Sequence, residues 1–171
     1  FPASSSSADK SISFYYIPDG NGNWKKTDPR IDQSSITAMN GKHNGNLIPL
    51  IRLLKSWNAN SRAAPRISSY HLETMLINAF KYQSAISEVR RSVPSAFGQI
   101  ASLILSSCAD PKGFGPNLDL ALDWETRNKV STAAKEMEQY SNWALMYESD
   151  DKDKDAIYWW CRVFPNFPPY G

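Results

Sequence analysis

Apolar positions follow two different periods along the chain. Near the N-terminus Ile12, Phe14 and Tyr16 alternate with Ser or Tyr neighbours, which predicts a β-strand. Residues 19–23 (DGNGN) are turn formers that tolerate positive φ, and residues 24–27 supply a return strand. The sequence therefore predicts an N-terminal β-hairpin.

From Asn46 onward, apolar residues recur every three or four positions, which indicates amphipathic helices. The first helix tolerates Pro49 only in its first turn, and residues 58–65 break it. The second begins near Ser68 and Ser69, whose hydroxyls are placed for N-capping. The predicted core stripes are Leu47, Leu50, Ile51 and Leu54 in the first helix, and Leu72, Met75, Leu76, Ala79 and Phe80 in the second.

Three further helices are predicted in the second half of the chain. Residues 94–108 form an apolar helix, and the Gly- and Pro-rich residues 109–116 form a loop. Asp123 is placed to cap a long helix, residues 148–155 are interpreted as a charged linker, and residues 156–164 form a short last helix. The predicted fold class is mostly α, with the hairpin followed by a bundle of about five or six helices.

Composition narrows the class of protein. The 171 residues suit a single folded body, and 42% hydrophobic and 12% aromatic residues exclude global disorder. The apolar runs are too short to span a membrane. A net charge of +2 is too small for the overall electrostatic field of the protein to attract nucleic acid. Two distant cysteines argue against a disulfide scaffold, so a cytoplasmic protein is expected.

Four residues are candidates for holding an anionic ligand. Arg52 and Lys55 are three apart, so on a helix both lie at the edge of the apolar stripe. Ser69 begins the next helix, whose N-terminus favours phosphate, and Tyr70 beside it offers a ring for stacking on a base. The residues alone leave an alternative open, in which these are cap serines and solvated cations.

Five segments carry a family resemblance. They are R-L-L-K-S-W-N at 52–58, I-S-S-Y-H-L-E at 67–73, D-P-K-G-F-G at 110–115, A-I-Y-W-W-C-R-V-F at 156–164 and F-P at 167–168. In this order and spacing they resemble the C-terminal helical lobe of cGAS/DncV-like nucleotidyltransferases, and the hairpin fits as well. The resemblance implies synthesis of cyclic oligonucleotide signals, which in bacteria serve anti-phage (CBASS) defence.

The resemblance also implies roles for individual residues. In the family, a lysine matching Lys55 and a serine matching Ser69 contact the donor triphosphate, and an aromatic residue matching Tyr70 stacks on the base. Arg52 ranks second, because a neighbouring register of the helix places it at the phosphates instead. NTP substrates, with ATP expected among them, are the implied ligands.

The family's catalytic carboxylates are not found in this sequence. The family needs a Gly-Ser turn and three carboxylates that hold Mg²⁺, and the chain contains no Gly-Ser pair. The Asp-x-Asp matches at 151–155 are interpreted as solvated linker. The chain is expected to start just after the strand that carries the third carboxylate. Residues 1–29 are then the end of the catalytic-core sheet and residues 30–171 the helical nucleotide-binding lobe.

The expected function is therefore that of one half of an enzyme. The intact protein is expected to join NTPs into a cyclic di- or trinucleotide, with Mg²⁺ bound by an N-terminal catalytic half that partners this lobe. This chain alone is expected to be inactive and to carry no catalytic residue. Two alternatives remain: a lobe of a linear oligoadenylate- or poly(A)-type enzyme, and a helical adaptor without nucleotide function.

Other chemically notable residues favour structural interpretations. His43 and His71 lack the spacing of a zinc site, and His71 is interpreted as a helix-surface residue or a neighbour of the nucleotide site. Trp143, Trp159 and Trp160 have helical spacing among apolar residues, which is typical of a core or a lobe interface. Neither membrane nor nucleic-acid partners are indicated.

Overall fold

Six α-helices follow two short strands in the part of the chain that the structure, a computed structural model, describes, namely residues 15–18, 24–27 and 29–169. The prediction of a mostly helical fold is confirmed. None of the described helices combines the length and the hydropathy needed to cross a bilayer. The elements are β1 Tyr15–Pro18, β2 Trp24–Thr27, α1 Pro29–Lys42, α2 Leu47–Asn60, α3 Ser69–Phe80, α4 Val89–Leu103, α5 Trp124–Ser149 and α6 Asp153–Val163.

Strands β1 and β2 pair in antiparallel orientation, with Tyr15 opposite Thr27 and Pro18 opposite Trp24. The predicted turn at 19–23 lies outside the described residues, as do the first strand positions that the sequence pattern indicated. The hairpin as a whole therefore stays a prediction, and so does the division of the chain at residue 29.

The apolar stripes predicted for α2 and α3 are confirmed, because their members face the core. Leu47, Leu50 and Leu54 of α2 are fully buried, as are Leu72 and Leu76 of α3. Removing such side chains from water is the main favourable contribution to folding. Because the apolar faces of α2 and α3 are buried, the orientation of each helix is fixed. The polar residues on the other faces therefore point in defined directions.

Helix α4 lies at the centre of the bundle, in contact with α2, α3 and α5, and α6 packs on α5. The indole of Trp57 from α2 meets the ring of Phe97 from α4 edge to face, with the ring centroids 5.1 Å apart. Both side chains are buried. Because aromatic pairs in this geometry add to area burial, this contact helps lock α2 onto α4.

Helix α1 was not predicted from the sequence. Its C-terminal end is tied to the rest of the bundle by His43, which is fully buried. His43 Nδ1 accepts the backbone N–H of Ile86 at 3.3 Å, and Nε2 lies 3.0 Å from the carbonyl oxygen of Phe80. With its proton on Nε2, the imidazole ring forms hydrogen bonds through both nitrogens. His43 is therefore a structural residue that joins the end of α1 to the end of α3.

The predicted helix at 94–108 was wrong in its boundaries. Helix α4 begins five residues earlier, at Val89, and ends at Leu103, so Pro94 lies inside it. Proline cannot donate to the carbonyl four residues back, which normally disfavours an interior position. Here Pro94 is buried together with Val93 and Phe97, so its ring is part of the apolar face of α4.

The predicted linker at 148–155 was also largely wrong, because only residues 150–152 separate α5 from α6. Asp151 has φ +56°, which makes the tight turn. Glu148 lies within α5, where its carboxylate contacts Arg90 at 2.6 Å and accepts the indole N–H of Trp160 at 2.6 Å. Glu148 therefore joins α4, α5 and α6 rather than lying in solvent.

The predicted cap of α5 is confirmed, and it gives a stability prediction. The Asp123 carboxylate accepts the backbone N–H of Thr126 at 2.7 Å, which also lowers the pKa of Asp123. Asp123→Ala is expected to lower the Tm by about 2–4 °C in a circular dichroism melt. Ser68→Ala is the matched control, because Ser68 is the N-cap of α3 without a side-chain cap hydrogen bond. Equal losses in the two variants would contradict the assignment.

Candidate functional site

A cleft of about 590 Å³ runs along one face of α3. This volume lies within the range of roughly 300–1,000 Å³ that small-molecule sites occupy. The lining side chains of α3 are three or four positions apart, as expected for one helical face. The cleft, called the α3 cleft below, is lined by Met39, Lys55, Ser69, Tyr70, Glu73, Thr74, Ile77, Asn78, Lys81 and Pro111.

Lys55 reaches the α3 cleft from α2, where it follows the buried Leu54 and lies at the edge of the apolar stripe. Its ammonium group forms an ion pair with the Glu73 carboxylate of α3. The Lys55 side chain is 33% exposed, so the pair is open to solvent and to a ligand. Glu73 is four residues after Ser69, which puts the ammonium about one helical turn from the start of α3.

The start of α3 lies at the wall of the cleft. Ser69 is exposed and lines the cleft, whereas the predicted N-cap hydrogen bond is absent because the Ser68 side chain makes none. The first backbone N–H groups of a helix have no partner within the helix, and its dipole is positive at this end. At Ser69 a hydroxyl group therefore lies beside the free N–H groups of the helix N-terminus, and both are suited to binding an anion.

Tyr70 lines the same cleft beside Pro111. Its hydroxyl donates to Asp110 Oδ1 at 3.1 Å, and the Lys112 ammonium lies 5.0 Å from its ring centroid. An aromatic ring at the cleft wall offers a flat surface for stacking on a base.

The structure thus brings together three of the four residues singled out from the sequence, namely Lys55, Ser69 and Tyr70. Arg52 is not brought to them. It is exposed on α2 and does not line the α3 cleft. Its register on the helix points it away, although it is only three residues from Lys55.

Sequence reasoning missed the rest of the cleft wall. Glu73 and Asn78 share the face of α3 that begins at Tyr70, and Lys81 continues this face just after the helix ends. This spacing was the signal that could have found them. Met39 had no such signal, because the helix that carries it was not predicted. Lys81 puts a second cation at the other end of α3 from Ser69.

His71 follows Tyr70 directly but points into the core, so its interpretation as a surface residue was wrong. It is only 1% exposed, and neither ring nitrogen has a hydrogen-bond partner among the described residues. Burial lowers the pKa of His71, the charge of Asp119 raises it, and the charge of Arg127 lowers it further. The net effect favours the neutral imidazole.

This burial predicts a pH dependence of stability. Because the folded pKa lies below the ordinary value of about 6.5, the unfolded chain binds the proton more readily. The free energy of unfolding is therefore expected to fall as the pH drops below about 6.5, and His71→Leu is expected to reduce this slope. Urea unfolding between pH 5 and 7.5 measures it. An unchanged slope in the variant would exclude His71 as the source.

No group of three or more His, Cys, Asp or Glu side chains among the described residues is arranged to hold a metal ion. Asp151 lies in the turn before α6, and Asp153 and Asp155 lie in its first turn, all of them exposed. Acidic residues are favoured there by the helix dipole.

Aromatic residues of α5 and α6 pack away from the α3 cleft. Trp160 is buried, which confirms a core position. The half-buried Trp143 and Trp159 are in contact, with ring centroids 4.5 Å apart and ring planes inclined by 57°. Tyr140 joins them at 5.0 Å from Trp159. These residues hold α6 onto α5.

The fold is that of a helical domain with an open cleft, lined by Lys55, Ser69 and Tyr70 among others. No protein-family model matches the chain. Among curated proteins, it is 38% identical over 159 residues to a probable cyclic nucleotide synthase of Bacillus cereus strain VD146. This similarity confirms the resemblance drawn from the sequence and is consistent with a lobe of a cGAS/DncV-like nucleotidyltransferase. The alignment covers 92% of this chain and 47% of the relative, so the chain spans about half of that protein's length.

Proposed function

We propose that this chain is the nucleotide-binding helical lobe of a nucleotidyltransferase that makes cyclic di- or trinucleotides from NTPs. The observation that carries the proposal is that Lys55, Ser69 and Tyr70, singled out from the sequence, line one cleft. The similarity to a probable cyclic nucleotide synthase supports the same class of activity. A role in anti-phage defence is part of this proposal and follows from the family resemblance.

In the proposed complex, the donor triphosphate lies between Lys55 and the first turn of α3. The ammonium and the Ser69 hydroxyl both donate to phosphate oxygens, and the positive end of the helix adds to the attraction. Glu73 holds the ammonium in the cleft before the nucleotide arrives. The phosphate then takes over as the stronger partner, because it carries more charge and more acceptor oxygens.

The base lies on the ring of Tyr70 in this proposal. Stacking on an aromatic side chain is worth about 1–3 kcal/mol and accepts any base. The cleft therefore favours nucleotides over inorganic polyphosphate without selecting one base through this contact alone.

We propose that Mg²⁺ is held by a part of the protein outside this chain. The donor groups of the described residues do not fit the ion, as the carboxylates near residues 151–155 do not cluster. The residues of the α3 cleft bind and orient the substrate only.

Both cysteines are free thiols, in keeping with the proposed cytoplasmic localisation.

Two measurements test the proposal. The chain is titrated with ATP by isothermal calorimetry, and saturable binding is expected. The longer protein is then incubated with NTPs and Mg²⁺, and its product is treated with phosphatase. A resistant product supports a cyclic nucleotide, a sensitive one supports a linear product instead, and absence of ATP binding by the chain overturns the proposed lobe in favour of an adaptor.

A further inference from the structure

The loop of residues 110–115, called the Asp110 loop below, is organised around one carboxylate. Oδ1 of Asp110 accepts the Tyr70 hydroxyl at 3.1 Å and the backbone N–H of Lys112 at 3.2 Å. Oδ2 accepts the backbone N–H groups of Phe114 and Gly115 at 3.2 and 3.1 Å. Gly113 completes the turn with φ +64°, a conformation that glycine adopts without strain. The carboxylate therefore holds both the loop and the Tyr70 hydroxyl.

The Asp110 loop contacts the Tyr70 side chain at more than one point. Pro111 lines the α3 cleft beside the ring, whereas Lys112 does not line it. The Lys112 ammonium lies over the ring, 5.0 Å from its centroid, at a distance typical of a cation–π contact. One loop thus supplies a hydrogen bond to the hydroxyl, a cation over the ring and an apolar neighbour at the cleft.

We propose that Asp110 is a positioning residue that fixes the Tyr70 ring for stacking on the nucleobase, and that the Asp110 loop is the wall of the base site. This inference rests on the proposed function. A ring already held in one rotamer loses less freedom when a ligand stacks on it, so preorganisation increases affinity. Asp110 acts through Tyr70 and need not touch the nucleotide.

The test compares a ligand with a base and one without. ATP and tripolyphosphate are titrated against the wild-type chain and against Tyr70→Phe, which removes the hydroxyl and keeps the ring and the loop. Tyr70→Phe is expected to weaken ATP binding by about two- to tenfold and to leave tripolyphosphate binding unchanged. Asp110→Ala is likewise expected to weaken ATP binding and to leave tripolyphosphate binding unchanged.

A double-variant cycle separates positioning from a general structural effect. Tyr70→Phe combined with Asp110→Ala is expected to bind ATP no more weakly than Asp110→Ala alone, because both changes break the same hydrogen bond. Asp155→Ala, which removes an exposed carboxylate on α6, is the matched control and is expected to bind both ligands as the wild type does.

Each outcome has one interpretation. Wild-type ATP affinity in Tyr70→Phe overturns the positioning role and leaves the proposed function standing. Equal losses for ATP and tripolyphosphate in Asp110→Ala overturn it too, because the loop then supports the whole cleft rather than the base site. If the wild-type chain binds neither ligand, the proposed function fails and the positioning role fails with it.

Discussion

Lys55→Ala is expected to weaken ATP binding by about ten- to a hundredfold. A hydrogen bond that involves a charged group is worth about 1.5–3 kcal/mol, and each 1.4 kcal/mol is a factor of ten in affinity. Ser69→Ala removes a neutral donor, worth about 0.5–1.5 kcal/mol, so a loss of about two- to tenfold is expected. Calorimetric titration of both variants measures the difference.

Arg52→Ala is the matched control for this prediction. Arg52 carries the same charge on the same helix but does not line the α3 cleft. Its removal is expected to change ATP affinity less than threefold, through screened long-range attraction only. A loss in Arg52→Ala equal to that in Lys55→Ala would show that the phosphates lie elsewhere along α2.

Glu73 accounts for part of the loss expected in Lys55→Ala. Removing the ammonium leaves the Glu73 carboxylate unpaired at the cleft, where it repels phosphate. Lys55→Ala combined with Glu73→Gln is therefore expected to regain part of the lost affinity. If the double variant binds as weakly as Lys55→Ala alone, repulsion by Glu73 contributes nothing.

Asp119→Ala is expected to lower the free energy of unfolding by about 3–5 kcal/mol, the usual cost of breaking a buried ion pair. Asp119 is 4% exposed, and its Oδ2 accepts from Arg127 at 2.8 Å. Its Oδ1 accepts the backbone N–H of Cys108 at 2.7 Å. That N–H and then the Arg127 guanidinium lower the pKa of Asp119, while burial opposes them.

Urea unfolding measures this loss of stability. Asp119→Asn separates the contribution of the charge from that of the hydrogen-bond acceptor. The asparagine keeps an acceptor for the Cys108 N–H but removes the charge that faces Arg127, so an intermediate loss is expected. Glu125→Gln is the matched control, because Glu125 pairs with Lys129 on the exposed surface of α5. Such pairs contribute little, so no measurable change is expected. A stability loss in Asp119→Ala no larger than in this control would contradict the argument.

The sequence predicted those elements best whose stability comes from their own apolar stripe. Helices α2 and α3 were located within a few residues, because burial of Leu50 and Leu72 requires the register that the spacing indicates. Helix α1 has no strong stripe, and its sequence is rich in Ser and Thr, which are modest helix formers. Contacts made elsewhere in the chain stabilise it, such as the bond from Ile48 N–H to Asn40 Oδ1 at 2.9 Å. Local patterns do not contain that information.

In the candidate site, too, residues in local sequence patterns were predicted, and those that depend on long-range contacts were not. Lys55 and Tyr70 were found because they stand beside apolar stripes in segments that resemble a family. Asp110 lies forty positions from its partner Tyr70, and no local pattern links the two. The pairing depends on how the loop after α4 folds back on α3. Long-range polar contacts of this kind are set by tertiary packing.

The aromatic cluster of Tyr140, Trp143 and Trp159 gives this protein an intrinsic optical probe. The indole rings of Trp143 and Trp159, with centroids 4.5 Å apart, are held in a fixed orientation and are expected to contribute to the near-ultraviolet circular dichroism. The contribution of this cluster to the near-ultraviolet signal depends on the docking of α6 on α5, whereas the far-ultraviolet signal reports helix content. Loss of one signal before the other during heating would reveal an intermediate in which the C-terminal helix has detached while the remaining helices persist.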